Sequence, residues 1–214
     1  MKKLKKEKIK RNKSQLIEIS SYFLIILCFG ALSYQIYSNS NKNQINDNMI
    51  QEFFEDEKVP KENTKTEEKH IEPENKKEVN YEKYIGVLEL EKINVKRGFY
   101  SKQSRNNNVN KNIKILNESD MPDKENGNVI IAAHSGNSYV AFFKNLNKLN
   151  SGDIAKIYYE GKTYYYSLVN SYEINKNGTA HIVRNAYKNT LTLITCKSKT
   201  NKQIVFIFEL KEIK

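Results

Sequence analysis

Three textures follow one another along the chain. Residues Ser20 to Tyr37 form an uncharged run rich in Leu, Ile, Phe and Tyr, and a helix of that length at 1.5 Å per residue reaches roughly 27 Å, close to the thickness of bilayer hydrocarbon. From residue 38 to residue 80 apolar positions become sparse and Asn, Lys, Glu and Thr dominate, as in Glu62–His70. Such a segment buries too little surface to offset its ordering entropy, so it reads as a polar, disordered stalk with a short helix at Met49–Phe54. From Tyr81 onward short apolar runs recur between turn residues, the pattern of β-structure. Strands are expected at Ile85–Leu90, Val129–Ala133, Ile154–Tyr159, Thr163–Val169, Leu191–Thr195 and Ile204–Leu210, with a hairpin around Glu160–Lys162. Phe142, Phe143, Leu146 and Leu149 instead recur at helical spacing, which predicts a short helix over Tyr139–Leu149. Many short strands with one or two short helices in about 130 residues point to a mainly β fold, a closed or nearly closed barrel.

Charge divides the chain along the same lines. The 214 residues carry 36 Lys and Arg against 25 Asp and Glu, a formal +11, but that total sums unlike parts. Residues 1–19 hold eight basic side chains against Glu7 and Glu18, the stalk holds eleven acidic against seven basic, and residues 81–214 hold 21 basic against 12 acidic. A basic head before an apolar run places residues 1–19 in the cytoplasm and residues 20–37 across the membrane as a signal anchor, with Tyr22, Tyr34 and Tyr37 suited to the interfaces. The remainder then lies outside the cell. A cleaved signal peptide is the competing reading, with Ala31–Ser33 as the small-residue cleavage site. Only Arg11, Arg97, Arg105 and Arg184 are arginines; a nucleic-acid reader would favour forked guanidiniums, so none is expected as a partner.

The two cysteines stand in unlike contexts, which excludes a disulfide framework and a four-cysteine zinc site. Cys28 lies within the apolar run; Leu27 before it is too large for a lipoprotein box, leaving a membrane-buried thiol. Cys196 ends the β-branched run Leu191–Thr195, just before the polar stretch Lys197–Lys202. Nearby lysines favour the thiolate, the nucleophilic form, with a half-buried structural thiol as the alternative. A cysteine nucleophile commonly works with an imidazole, and the chain offers three histidines. His70 lies in the stalk, and His181 in a loop-like segment where a surface histidine is the ordinary reading. His134 ends the strongest apolar strand and opens into Ser135–Ser138, a small-residue loop of the kind that presents sites.

Together these residues resemble the sortase family. Thr192-Leu-Ile-Thr-Cys196 is similar to the family's TLxTC signature, and Asn128–Gly136 followed by Phe142–Leu146 resembles its histidine segment. The likeness continues through Gly152-Asp153 and Ile85–Ile93, and the style of the histidine segment suggests a class D-like or unclassified member. The resemblance implies a closed eight-stranded β-barrel as the catalytic domain over residues 81–214. It also implies a thiol transpeptidase at the surface of a Gram-positive cell that cleaves an LPxTG-like sorting signal on secreted proteins through a Cys196 thioacyl intermediate. His134 would protonate the departing amine, and an amine of the peptidoglycan cross-bridge or lipid II, or a pilin lysine, would then take the acyl group. Neither a cofactor nor a metal is implied.

One position departs from the family pattern. Where sortases carry an arginine about seven residues after the cysteine, this chain has Gln203. A neutral amide can donate a hydrogen bond but brings no charge; Lys202, Lys199 or Arg184 could supply the cation instead, or the enzyme could be weak. Thr195, Ser135 and Asn137 adjoin the site as candidate lining residues. An L,D-type transpeptidase would need a Ser-x-Gly-Cys context that Ile194-Thr-Cys-Lys197 does not supply. A membrane-tethered, catalytically weak or inactive barrel that binds cell-surface polymers or proteins stays as the alternative function.

Overall fold

The computed structural model describes residues 2–58 and 83–214, with side chains from Ser20 onward. The elements are the helix α1 (Lys2–Lys58) and strands β1 (Gly86–Leu90), β2 (Val95–Phe99), β3 (Lys114–Ile115), β4 (Asn128–Ala132), β5 (Ile154–Tyr159), β6 (Lys162–Asn175), β7 (Thr190–Cys196) and β8 (Lys202–Ile213). The chain divides into two units, Met1–Ile45 and Asn46–Lys214. In the first, Tyr22–Tyr37 present exposed Leu, Ile, Phe and Tyr side chains, and the helix is long and apolar enough to cross a membrane.

The second unit is a nearly closed eight-stranded barrel with strand order β2-β1-β5-β6-β8-β7-β4-β3. β4 and β7 run parallel, whereas the other pairs are antiparallel. The hairpin between β5 and β6 turns at Glu160 and Gly161, whose φ angles of 49° and 71° are the left-handed pair of a two-residue turn that matches the strand twist. Leu88, Leu90, Phe99, Ile113, Ile131, Leu191, Leu193 and Phe208 fill the interior. Their alternation along each strand sends the intervening side chains outward.

Three expectations change against the structure. Residues 38–58, expected as stalk with a short helix at Met49–Phe54 only, are helical throughout, and residues 59–82, including His70, lie outside the described residues. Tyr139–Leu149 is a series of turns with one 3₁₀ turn, Leu146–Lys148, rather than a helix. Val140, Phe143 and Leu146 still face inward, because a three-residue spacing serves successive turns as well as a helix. β2 and the two-residue β3 were missed: Val95–Phe99 is interrupted by Lys96, Arg97 and Gly98, and β3 is too short to show a period.

Residues 46–58 pack on the barrel within the second unit. Ile50 and Phe53 are buried with Tyr84, Val87 and Tyr100. Asn46 accepts a hydrogen bond from the Tyr84 hydroxyl at 3.1 Å and donates to the Lys96 carbonyl of β2 at 3.3 Å. That bond meets a carbonyl on the sheet's terminal strand, and covering such an edge removes a template for aggregation. Gly98 sits under the Tyr84 ring, where an added Cβ would lie 1.9 Å from a ring carbon. Gly98→Ala therefore displaces Tyr84 and loosens residues 46–58, at a cost of about 1–3 kcal/mol. Hydrogen exchange on the full chain in detergent is expected to accelerate over 46–58 while β7 stays protected.

Candidate functional site

The parallel pair β4–β7 builds the site. Its register matches Asn128 with Thr190 and Ala132 with Ile194, and two more steps set His134 beside Cys196, on neighbouring strand ends about 4.8 Å apart. Hydrogen bonds fasten the two ends together. The Ala133 amide donates to the Ile194 carbonyl at 3.2 Å, the Thr195 hydroxyl donates to the Ala133 carbonyl at 2.8 Å, and the Ser135 hydroxyl donates to the Cys196 carbonyl. Deeper in the pair, the Asn128 carboxamide oxygen accepts from Thr190 and Thr192 at 3.0 and 2.8 Å. These buried polar groups thus satisfy one another while fixing the register.

Alternation then assigns faces. Val129 and Ile131 of β4 with Ala133 just beyond it, Leu191 and Leu193 of β7, and Phe206 and Phe208 of β8 belong to the interior. Ile130, Ile194, Val205 and Ile207 form a separate apolar layer on the opposite face. His134, Cys196 and Gln203 continue the outer series on their respective strands. β8 pairs Gln203 directly with Cys196, so the three share one face at one end of the apolar layer. Cys196, His134 and Gln203 are each half-buried.

A bulge in β6 completes this outer layer. Leu168 pairs with Phe208 but Asn170 pairs with Ile207, leaving Val169 as the extra residue. One inserted residue reverses the faces of all that follow. Tyr172 and Ile174 consequently lie over Val205 and Gln203 and join the outer apolar layer, together with Ala180 and Ile182 from the segment leading to β7. The result is a buried apolar layer covered by the β6–β7 segment, with a thiol, an imidazole and a carboxamide at its end.

The structure brings Asn110 to the imidazole, a residue the sequence reading did not single out. His134 Nε2–H donates to Asn110 Oδ1 at 3.0 Å, which leaves Nδ1 as the basic ring nitrogen of the neutral form. The β2–β3 loop is built to present this group. Asn107, buried, spans Ile115 with bonds of 2.9 and 2.8 Å, and Asn112, also buried, donates to the Gly98 carbonyl at 2.7 Å. An Asn-rich stretch suggests only turns on the page; the signal here is the pair of buried asparagines that hold the loop.

The remaining sequence candidates are placed differently. Thr195 turns toward the interior and is buried, its hydroxyl spent on Ala133, while Asn137 is exposed on the histidine loop. Lys197 and Lys202 are both paired to Glu173, one position out of phase with Cys196 and Gln203. The two ammonium groups, Lys197 first, hold the exposed Glu173 carboxyl below its ordinary range. Arg184 donates to the Asn185 and Lys188 carbonyls of its own loop, Lys199 stands at the exposed β7–β8 turn with φ 58°, and His181 is exposed. Among the described residues no group of three His, Cys, Asp or Glu side chains is placed to hold a metal ion.

Residues 88–210, more than half of the chain, match the family description "Sortase domain". Among solved structures, a sortase D5 transpeptidase of Clostridium perfringens shares 26% identity, with 61% of this chain and 80% of that one covered at a TM-score of 0.52. Sortase A of Listeria monocytogenes shares 19%, covering 61% and 89% at 0.51. Sortase C of Streptococcus pneumoniae shares 20%, covering 60% and 69% at 0.54; these two are likenesses of fold. No curated protein matches the sequence.

Removing the carbonyl that holds Nε2–H frees the ring. In Asn110→Ala, the nitrogen shifts of His134 in long-range ¹H–¹⁵N spectra are expected to move from a single Nε2–H tautomer toward a mixture, with β4 and β7 amide signals unchanged.

Proposed function

The chain belongs to the sortase family, and from that premise we propose that Cys196 and His134 carry a transpeptidation on an LPxTG-like sorting signal of secreted proteins. The observation that carries the reading is the convergence of Cys196, His134 and Gln203 on one face, at the end of an apolar layer. An extended peptide lies with its scissile carbonyl at the thiol. The Cys196 thiolate adds to the threonyl carbonyl, a C–S bond forms, and the C–N bond breaks as the His134 imidazolium gives its proton to the leaving amine. An incoming amine then returns a proton to His134, forms the new amide and releases Cys196. The acceptor is an amine of the peptidoglycan cross-bridge or lipid II, or a pilin lysine; the sortase C of Streptococcus pneumoniae is a family member studied for pilin substrate specificity. This chemistry needs no cofactor.

Gln203 takes the place of the cation at the developing oxyanion. Its position opposite Cys196 supports this role, and the engagement of Lys197 and Lys202 by Glu173 leaves those lysines poorly suited to it. Anchoring follows from the helix that is long and apolar enough to cross a membrane. The basic residues before it set the N-terminus inside and the catalytic domain, residues 81–214 by sequence, outside. The neutral Gln203 also favours a second reading, a catalytically weak barrel that binds surface proteins or polymers.

The test incubates the full chain in detergent micelles with LPxTG-like peptides and an amine donor, and weighs the products. Acyl-enzyme and ligated peptide are expected with the wild type and absent with Cys196→Ala. Gln203→Ala is expected to slow acylation by about 100- to 1000-fold, the usual loss for one oxyanion donor. No acyl-enzyme with any peptide would favour the binding barrel.

A further inference from the structure

The segment between β6 and β7 lacks regular structure, yet Ala180 and Ile182 lie against the apolar layer of Ile194 and Val205. Apolar contact alone is non-directional and leaves such a segment free to slide or lift. The polar bonds near its ends leave its middle unheld: the Lys176 amide donates to the Asn201 carbonyl of the β7–β8 turn at 3.1 Å, and Arg184 binds the carbonyls of Asn185 and Lys188 within its own loop. In the middle, Tyr172 reaches across from β6. Its hydroxyl accepts from the Val183 amide at 2.7 Å and donates to the His181 carbonyl at 3.1 Å. One hydroxyl has a single proton and two lone pairs, so both bonds coexist. They clamp the backbone on either side of Ile182, whose side chain is directed to the apolar layer.

Tyr172 reaches this position only because of the bulge at Val169. Without the extra residue its ring would face the barrel interior and its hydroxyl could not meet residues 181–183. With it, the ring packs beside Val205, two residue pairs from Ile174 and Gln203, and the hydroxyl extends to the loop. The same side chain therefore forms part of the layer and holds the segment over it.

We propose that Tyr172 is a positioning residue for substrate. Its hydroxyl latches the β6–β7 segment so that Ala180 and Ile182 form a fixed wall for the apolar part of an extended peptide whose scissile bond lies at Cys196. The latch is a property of the fold; its effect on peptide binding rests on the proposed transpeptidase reading. A preordered wall lowers the entropy lost when a peptide binds and leaves the reacting groups untouched, so its loss weakens binding more than turnover.

Tyr172→Phe removes the hydroxyl and keeps the ring. In hydrogen exchange on the full chain in detergent, amides 180–184 are expected to exchange at least about tenfold faster, the loss of two hydrogen bonds, while β7 amides keep wild-type rates. With a peptide that acylates the wild type, KM is expected to rise about tenfold and kcat to change by less than about twofold. Unchanged exchange over 180–184 would overturn the latch. Faster exchange throughout β7 and β8 with KM unchanged would show general loosening and would overturn the positioning role. If no peptide acylates the wild type, the exchange result still decides the latch, and the failure falls on the proposed function instead.

Discussion

Everything the site does depends on the parallel pairing of β4 with β7. The two strands are distant in sequence and meet with their C-terminal ends side by side, so each delivers its next residue to the same rim. Hydrogen bonds from Ala133, Thr195 and Ser135 hold those ends after the regular ladder has stopped. The residues around the thiol and imidazole are thus engaged in fixing position, and the spacing of the pair is that of adjacent strands rather than of two mobile loops. Placement on rigid elements is what a nucleophile and its acid–base partner require.

Two devices adapt this frame. The β6 bulge turns Tyr172 and Ile174 outward, where they pack on the apolar layer of Ile194 and Val205. The β2–β3 loop, held by buried Asn107 and Asn112, brings an acceptor to Nε2 of His134. Charge is distributed with the same economy: Glu173 engages the two lysines that flank the Cys196–Gln203 pair, so the carboxamide, and not an ammonium, is the group set opposite the thiol.

The sequence exposed those parts whose signals are local. Apolar runs gave six strands to within a few residues at most ends, apart from the long C-terminal extension of β6, and the two-residue hairpin turn was visible in Glu160-Gly161. The ends of two of those runs also displayed His134 and Cys196. Non-local features were hidden. Asn110 meets His134 across 24 positions, Tyr172 acquires its face from a bulge that no composition signals, and the face of Thr195 follows from pairing rather than from its place beside Cys196. Met49–Phe54 showed the apolar residues that pack against Tyr84, Val87 and Tyr100, while the helix around them runs through polar residues on both sides.

The central claim is that His134 governs the reactivity of Cys196. It is tested most directly by the rate of Cys196 alkylation by iodoacetamide between pH 5 and 9, in the full chain carrying Cys28→Ser, with His134 present and with His134→Gln. An adjacent imidazole activates a cysteine nucleophile, so alkylation at neutral pH is expected to be faster with His134 than in His134→Gln. Superimposable profiles would contradict the account, because Cys196 would then react without regard to the histidine that the strand pairing sets beside it.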